Sequence, residues 1–113
     1  MKEIKAYIRP EIADKVIFEL EVAGAKGMTV INVATLGGWV DPKHSQLSVE
    51  YCEKYSSSLK IELVCSDEEY KNLIRIILDK AFTGEKGDGK IFVSDITEAY
   101  SIRTKKRQQE AIL

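Results

Sequence analysis

The stretch TGEKGDGKIFV, residues 83–93, sets Gly84, Gly87 and Gly89 just ahead of a lysine and an apolar run. Backbone N–H groups in such a loop can turn inward as an anion-binding nest, and Lys90 would add a point charge. The competing reading is a plain tight turn, because glycine is also the default wherever the chain takes a positive φ. Two better-defined motifs are excluded. A P-loop needs Ser or Thr after its lysine, and Ile91 stands there. The dinucleotide fingerprint opens a helix, whereas this loop runs into a strand pattern.

Other chemistry-bearing residues are sparse. His44 is the single histidine, close in sequence to Asp41 and Cys52. A transition-metal site takes three or four ligands, which His44, Cys52 and one of Asp41, Glu50 or Glu53 could supply, although the spacing fixes no geometry. Against this stands an ordinary exposed histidine. Tyr51 offers a hydroxyl for modification or partner contact, or else packs on its own loop. Arg103, Lys105, Lys106 and Arg107 form a basic run. It reads as a solvated C-terminal face, or, if the glycine loop holds phosphate, as the source of a clamp at Arg103. No Ser/His/Asp set, Cys/His pair or spaced carboxylate pair emerges, so an enzyme is disfavoured.

The elements that must position these residues follow from periodicity. Ile4, Ala6 and Ile8 alternate with Lys5, Tyr7 and Arg9 as a half-buried strand that Pro10 ends. Ala13, Val16, Ile17, Leu20 and Ala23 keep helical spacing, with a stop at Gly24. MTVINVATL, 28–36, is rich in β-branched residues and reads as a strand, which Gly37 and Gly38 break. Residues 39–57 show no sustained period and read as a long structureless stretch, functional or mobile. LKIELVC, 59–65, alternates again, and Cys65 completes its buried face. Ser66 and Glu69 carry a capping-box signature ahead of the stripe Tyr70, Leu73, Ile74, Ile77 and Ala81. KIFVSDI is a fourth strand, AYSIR a candidate short fifth, and TKKRQQEAIL a polar tail.

The order β-α-β-β-α-β predicts an α+β, ferredoxin-like fold: an antiparallel four-stranded sheet with two helices on one face. The uncovered face would carry Tyr7, Lys60, Glu62, Val64 and Phe92, a mixed surface suited to an oligomer interface or a ligand. The 113 residues allow one domain, 1–113, with 44% hydrophobic and 31% charged residues. A net charge of −1 gives no argument for nucleic acid or an anionic membrane. With no apolar run of about 18 residues and no signal-peptide pattern at the N-terminus, a cytoplasmic protein is expected.

The run TGEKGDGKIFV followed by IRT resembles the PII signal-transduction family, whose members share a T-x-x-x-G-D-G-K-I-F-V type loop. MKEIKAYIRP, GAKGMTV and LKIELV are similar to that family too, and the resemblance spans essentially the whole chain. It implies a homotrimer with adenine nucleotides (ATP, ADP or AMP) in clefts between subunits. It also implies a B-loop at 82–90, a T-loop at 37–57 that docks on a protein partner, and a C-terminal tail at 98–113. By this resemblance Gly87, Asp88, Gly89 and Lys90 hold phosphates, and Gly37 and Gly38 stand in the segment that meets nucleotide. Thr29, Glu62 and Val64 match adenosine contacts, Arg103 matches a phosphate-clamping arginine, and Tyr51 matches a tyrosine that some bacterial members have nucleotidylated. The partner class it implies is a membrane transporter.

Departures from the pattern carry equal information. The family's Gly-x-Gly-Arg-Gln run reads Thr35, Gly38 and Trp39 at its first glycine, arginine and glutamine positions. An indole has no oxygen lone pair, so Trp39 cannot replace the glutamine that ligates magnesium beside 2-oxoglutarate. Ser58 stands where a lysine helps hold the 2-oxoglutarate carboxylate, and Ser101 where a second tail arginine is common. A 2-oxoglutarate response is therefore expected to be absent or weak, with ADP or AMP competing well against ATP. The alternatives are a metal-responsive regulator using His44 and Cys52, an orthodox nitrogen-regulatory PII protein, and slow nucleotide hydrolysis.

Overall fold

The computed structural model describes residues 1–113. Strands β1 (Lys2–Ile8), β2 (Thr29–Leu36), β3 (Ser45–Ser48), β4 (Glu53–Cys65) and β5 (Lys90–Asp95) form one antiparallel sheet. Helices α1 (Ala13–Val22) and α2 (Tyr70–Lys80) complete the chain's regular structure, apart from short 3-10 turns. The sheet order is β2-β4-β1-β5, with β3 added along β4.

The core is the surface that the periodicities mark. Ile4, Ala6 and Ile8 of β1 and Ile61, Leu63 and Cys65 of β4 point to one face. There they meet Ala13, Val16 and Leu20 of α1 and Leu73, Ile77 and Ala81 at α2, all buried in one cluster. Both helices thus cover the same side of the sheet, as ferredoxin-like topology requires. Burial also pushes the Cys65 thiol up to about 11, which keeps it an inert apolar filler. Pro10 opens a 3-10 turn leading into α1, and Gly24 ends that helix at φ +99° with its N–H on the Glu21 carbonyl.

Three expectations need correction. Residues 39–57 are not structureless: a 3-10 turn at Gly37–Trp39 leads to β3, which pairs with the first four residues of β4 from Ser45↔Ser56 to Ser48↔Glu53. β4 is accordingly thirteen residues long, where the alternation had marked only 59–65. Ser66 does not cap α2 with its hydroxyl. Its carbonyl accepts the N–H groups of Glu69 and Tyr70, at 3.2 and 3.3 Å, and the helix starts at Tyr70 without a side-chain cap. AYSIR makes only one isolated bridge, Tyr100↔Arg107, and the tail ends in a 3-10 helix, Gln108–Ile112. No helix is long and apolar enough to cross a membrane.

Candidate functional site

The site is built where three segments meet: the end of β1, the turn before β3, and the glycine loop before β5. β1 and β3 lie on the same side of β4, end to end, because Leu59 pairs with Ile8 while Ser56 pairs with Ser45. Arg9 falls in the gap between them. The buried polar or charged residues of the chain are Arg9, Asp41 and Ser56, and all three belong to this junction.

Arg9 spends its donors on two different loops. Its Nε donates to Asp88 Oδ1 at 3.1 Å, one Nη to the Lys86 carbonyl at 3.0 Å, and the other Nη to Asp41 Oδ2. Asp41 in turn donates its N–H to Ser56 Oγ at 3.0 Å and accepts the Lys43 N–H at 3.0 Å. His44 Nδ1 lies 2.9 Å from Asp41 Oδ2. The His44 contact, the Lys43 amide and Arg9 together hold the Asp41 carboxyl down at about 2 against the opposing effect of burial. At Asp88 burial raises the pKa. Hydrogen bonds from the Thr83 hydroxyl, the Thr83 and Gly84 amides and Arg9 outweigh it, leaving this carboxyl also at about 2. Arg9 itself is raised, since the two aspartates overcome the desolvation that would lower it.

The glycines now have physical reasons. Gly89, at φ +112°, approaches the β1 backbone so closely that a Cβ would lie 1.7 Å from the Tyr7 carbonyl oxygen. Gly87, at φ +106°, packs against Asp41, where a Cβ would come within 2.7 Å of the aspartate Cβ. Asp88 caps the near half of the loop through the amides of Thr83 and Gly84, at 2.8 and 2.9 Å. The amides of Lys86, Gly87, Asp88 and Gly89 have no acceptor within the chain. They border a hollow of about 200 Å³ lined by Gly38, Trp39 and residues 85–90. On the helix side of the loop lies an apolar hollow of about 120 Å³, walled by Ile77, Leu78, Ala81, Phe82 and their neighbours. The first hollow is polar, with Lys90 among its lining residues, and the second is mostly apolar.

Trp39 closes the hairpin side of that hollow. Lys90 Nζ sits 5.4 Å from the centre of its ring, and the indole lies 5.8 Å from Phe92, which meets Tyr7 edge-on at 6.1 Å. The aromatic thus packs on the loop base and shares Lys90 with the hollow. Gly37, at φ +75°, makes the turn that delivers it.

The remaining residues singled out in the sequence stand elsewhere. Thr29 pairs directly with Glu62, and Val64 follows on the same uncovered face of the sheet. Two strand spacings of ~4.8 Å and up to four residues of ~3.3 Å rise separate Val64 from Lys90. Arg103 is exposed on the loop closed by the Tyr100↔Arg107 bridge. One chain therefore carries the two residue groups apart. His44 and Cys52 are not brought together either: His44 is engaged with Asp41 at the base of the hairpin, Cys52 lies at its exposed tip at φ +56°, and no cluster of three metal-binding side chains forms. Tyr51 is exposed at the same tip. Arg9 was missed as a site residue because its partners lie 32, 77 and 79 positions away, and its only local mark is a charge at the last position before a proline.

The frame of the molecule is thus a ferredoxin-like sheet with a glycine-rich loop at one end and a protruding hairpin beside it. The chain belongs to the family described as "Nitrogen regulatory protein P-II", which it matches over residues 1–106. It is 39% identical over 112 residues to nitrogen regulatory protein P-II 2 of Methanothermobacter thermautotrophicus, covering 99% of this chain and 97% of the relative. The P-II protein of Porphyra purpurea is 38% identical over 104 residues, at 92% and 93% coverage. That of Pasteurella multocida is 37% identical over 112 residues, at 99% and 100% coverage. Proteins of this family are regulators rather than enzymes. They form trimers, bind adenine nucleotides and act on partner proteins.

Proposed function

We propose that this protein is a P-II-type regulator that binds an adenine nucleotide between subunits and presents that state to a protein partner through the β3–β4 hairpin. The observation that carries the reading is the hollow beside 85–90, with its unpaired amides and Lys90 at the rim. The phosphates sit there, held by the amides of 86–89 and by Lys90. Thr29, Glu62 and Val64, with Arg103, belong to the adenosine and clamping side of a second subunit, which is why they stand far from the loop of their own chain. Gly37 and Gly38 let the turn approach the phosphates without side-chain obstruction.

A 2-oxoglutarate response through magnesium is lost or weak. Trp39 offers no oxygen to the metal, and Ser58 instead shares a hydrogen bond of 2.9 Å with Thr35. Divergence at these positions favours a role outside orthodox nitrogen control, with a membrane transporter as the partner class and the cytoplasm as its location. Modification at Tyr51 remains sterically open, since the residue is at an exposed tip. A metal-responsive role through His44 and Cys52 would require the hairpin to refold, since base and tip do not meet.

Calorimetric titration with ATP, ADP and AMP, each with and without magnesium and 2-oxoglutarate, tests the reading. Saturable binding that 2-oxoglutarate fails to strengthen is expected. Strong enhancement would restore the orthodox role, and no binding of any nucleotide would leave the glycine loop as a turn.

A further inference from the structure

We propose that Asp41, held on Arg9, is the positioning residue that makes the glycine loop and the base of the β3–β4 hairpin one mechanical unit. A phosphate-bearing ligand seated in the loop is thereby read out as the position of the hairpin. This rests on the nucleotide reading above and assigns the residues that carry its signal.

Three contacts of different character join the two segments. The first is the buried one: Arg9 bonds Asp41 on one side and both Asp88 and the Lys86 carbonyl on the other. The second is steric, since Gly87 touches Asp41 with no space left for a methyl group. The third is an outer ion pair, Lys43 Nζ to Glu85 Oε1 at 2.9 Å. Surface pairs of that kind contribute little. The buried network differs, because a guanidinium that loses its partners in a water-poor junction cannot be resolvated cheaply. When a phosphate draws in the amides of 86–88, with Gly89 fixed against β1, the Lys86 carbonyl and the Asp88 carboxylate shift with them. Arg9 follows its acceptors, and Asp41 follows Arg9. Asp41 stands four residues ahead of β3 and is tied to Ser56 of β4, so its displacement is passed to both strands of the hairpin. The hairpin can respond because beyond this anchor it projects freely: Leu47 and Val49 are 74% and 92% exposed.

The test is amide hydrogen exchange across 45–56 in the full-length protein, with and without saturating ATP, compared with nucleotide affinity from calorimetry. Asp41→Asn keeps the shape and leaves Arg9 its Asp88 partner, so the fold survives while the ion pair to the hairpin is lost. In the wild type ATP should change hairpin exchange by about fivefold or more, the usual lower bound for coupled sites. In Asp41→Asn, which loses the ion pair but keeps the Gly87 contact and the Lys43–Glu85 pair, that response should fall to less than about half while ATP affinity stays within about threefold. A purely structural Asp41 would instead lower affinity and stability together, or leave the hairpin response intact. Either result overturns the proposal. A ligand-free arm separates the relay from the nucleotide reading. Thr83→Ala removes a hydrogen bond to Asp88 without touching the hairpin, and should alter hairpin exchange at least about twofold more in the wild-type background than in Asp41→Asn. Transmission in this arm with no ATP binding keeps the relay and removes the nucleotide. Absence of transmission removes the relay whatever ATP does.

Discussion

Gly89 leaves no room for a side chain: the added carbon would overlap the Tyr7 carbonyl, and its φ of +112° is one that other residues avoid. Gly89→Ala should therefore destabilise the protein by more than ~3 kcal/mol, the range of backbone strain plus a forced clash, visible as a large fall in melting temperature. A loss below ~1 kcal/mol would mean that the loop yields easily and is no fixed template for phosphate. Lys90 stands in contrast, exposed and held only by the face of Trp39. Lys90→Ala or Arg103→Ala should weaken nucleotide binding by ~1–3 kcal/mol, the scale of a charge-assisted contact, with little effect on folding. Calorimetry decides, and unchanged affinity in both variants would remove these residues from the site.

At the scale of elements, the junction of β1, β3 and the glycine loop depends on ionised carboxyls. Asp41 and Asp88 titrate at about 2 in the folded protein, against an ordinary value of 3.8. A carboxyl depressed on folding stabilises the native state above its unfolded value and loses that contribution as pH falls through the folded one. Melting temperature should accordingly hold steady from neutral pH to about 4 and drop between about 4 and 2. In Asp41→Asn that drop should be shallower, and an identical acid profile would show that Asp41 carries none of it. The helices act differently, through area. Leu73 and Ile77 are the fully buried side chains by which α2 meets the sheet, so either truncated to alanine should cost ~2–5 kcal/mol in denaturant unfolding.

For the whole molecule, Lys90 stands apart from Val64, Glu62 and Thr29 along the sheet. On the nucleotide reading proposed above, the two groups that hold one ligand come from different copies. Mixing Lys90→Ala and Arg103→Ala subunits after reversible dissociation should restore a minority of tight sites, since some interfaces then pair an intact lysine with an intact arginine. No restoration would mean that both residues serve a site within one chain. The uncovered sheet face, with Lys60 lying 5.8 Å above the Tyr7 ring and pairing with Glu62, is the surface such an assembly would bury.

Sequence and structure divide this protein along a physical line. Alternation and helical spacing mark the core strands and both helices because those segments have one face in water and one against apolar neighbours. The glycine loop is legible for a related reason, since few residues but glycine tolerate its backbone. The hairpin was not legible: β3 and the first part of β4 carry no apolar residue that the core buries, and no period is imposed on residues 39–57. Arg9 and Ser56 were equally silent, and Asp41 was read only as a possible metal ligand, because a polar group signals its role only through partners, and theirs are supplied by strands and loops distant along the chain. Thus the sequence alone determined which residues are buried by hydrophobic patterning and where the backbone must turn. Only the tertiary structure decided which polar groups meet, for that depends on strand register and loop approach, which no local pattern encodes.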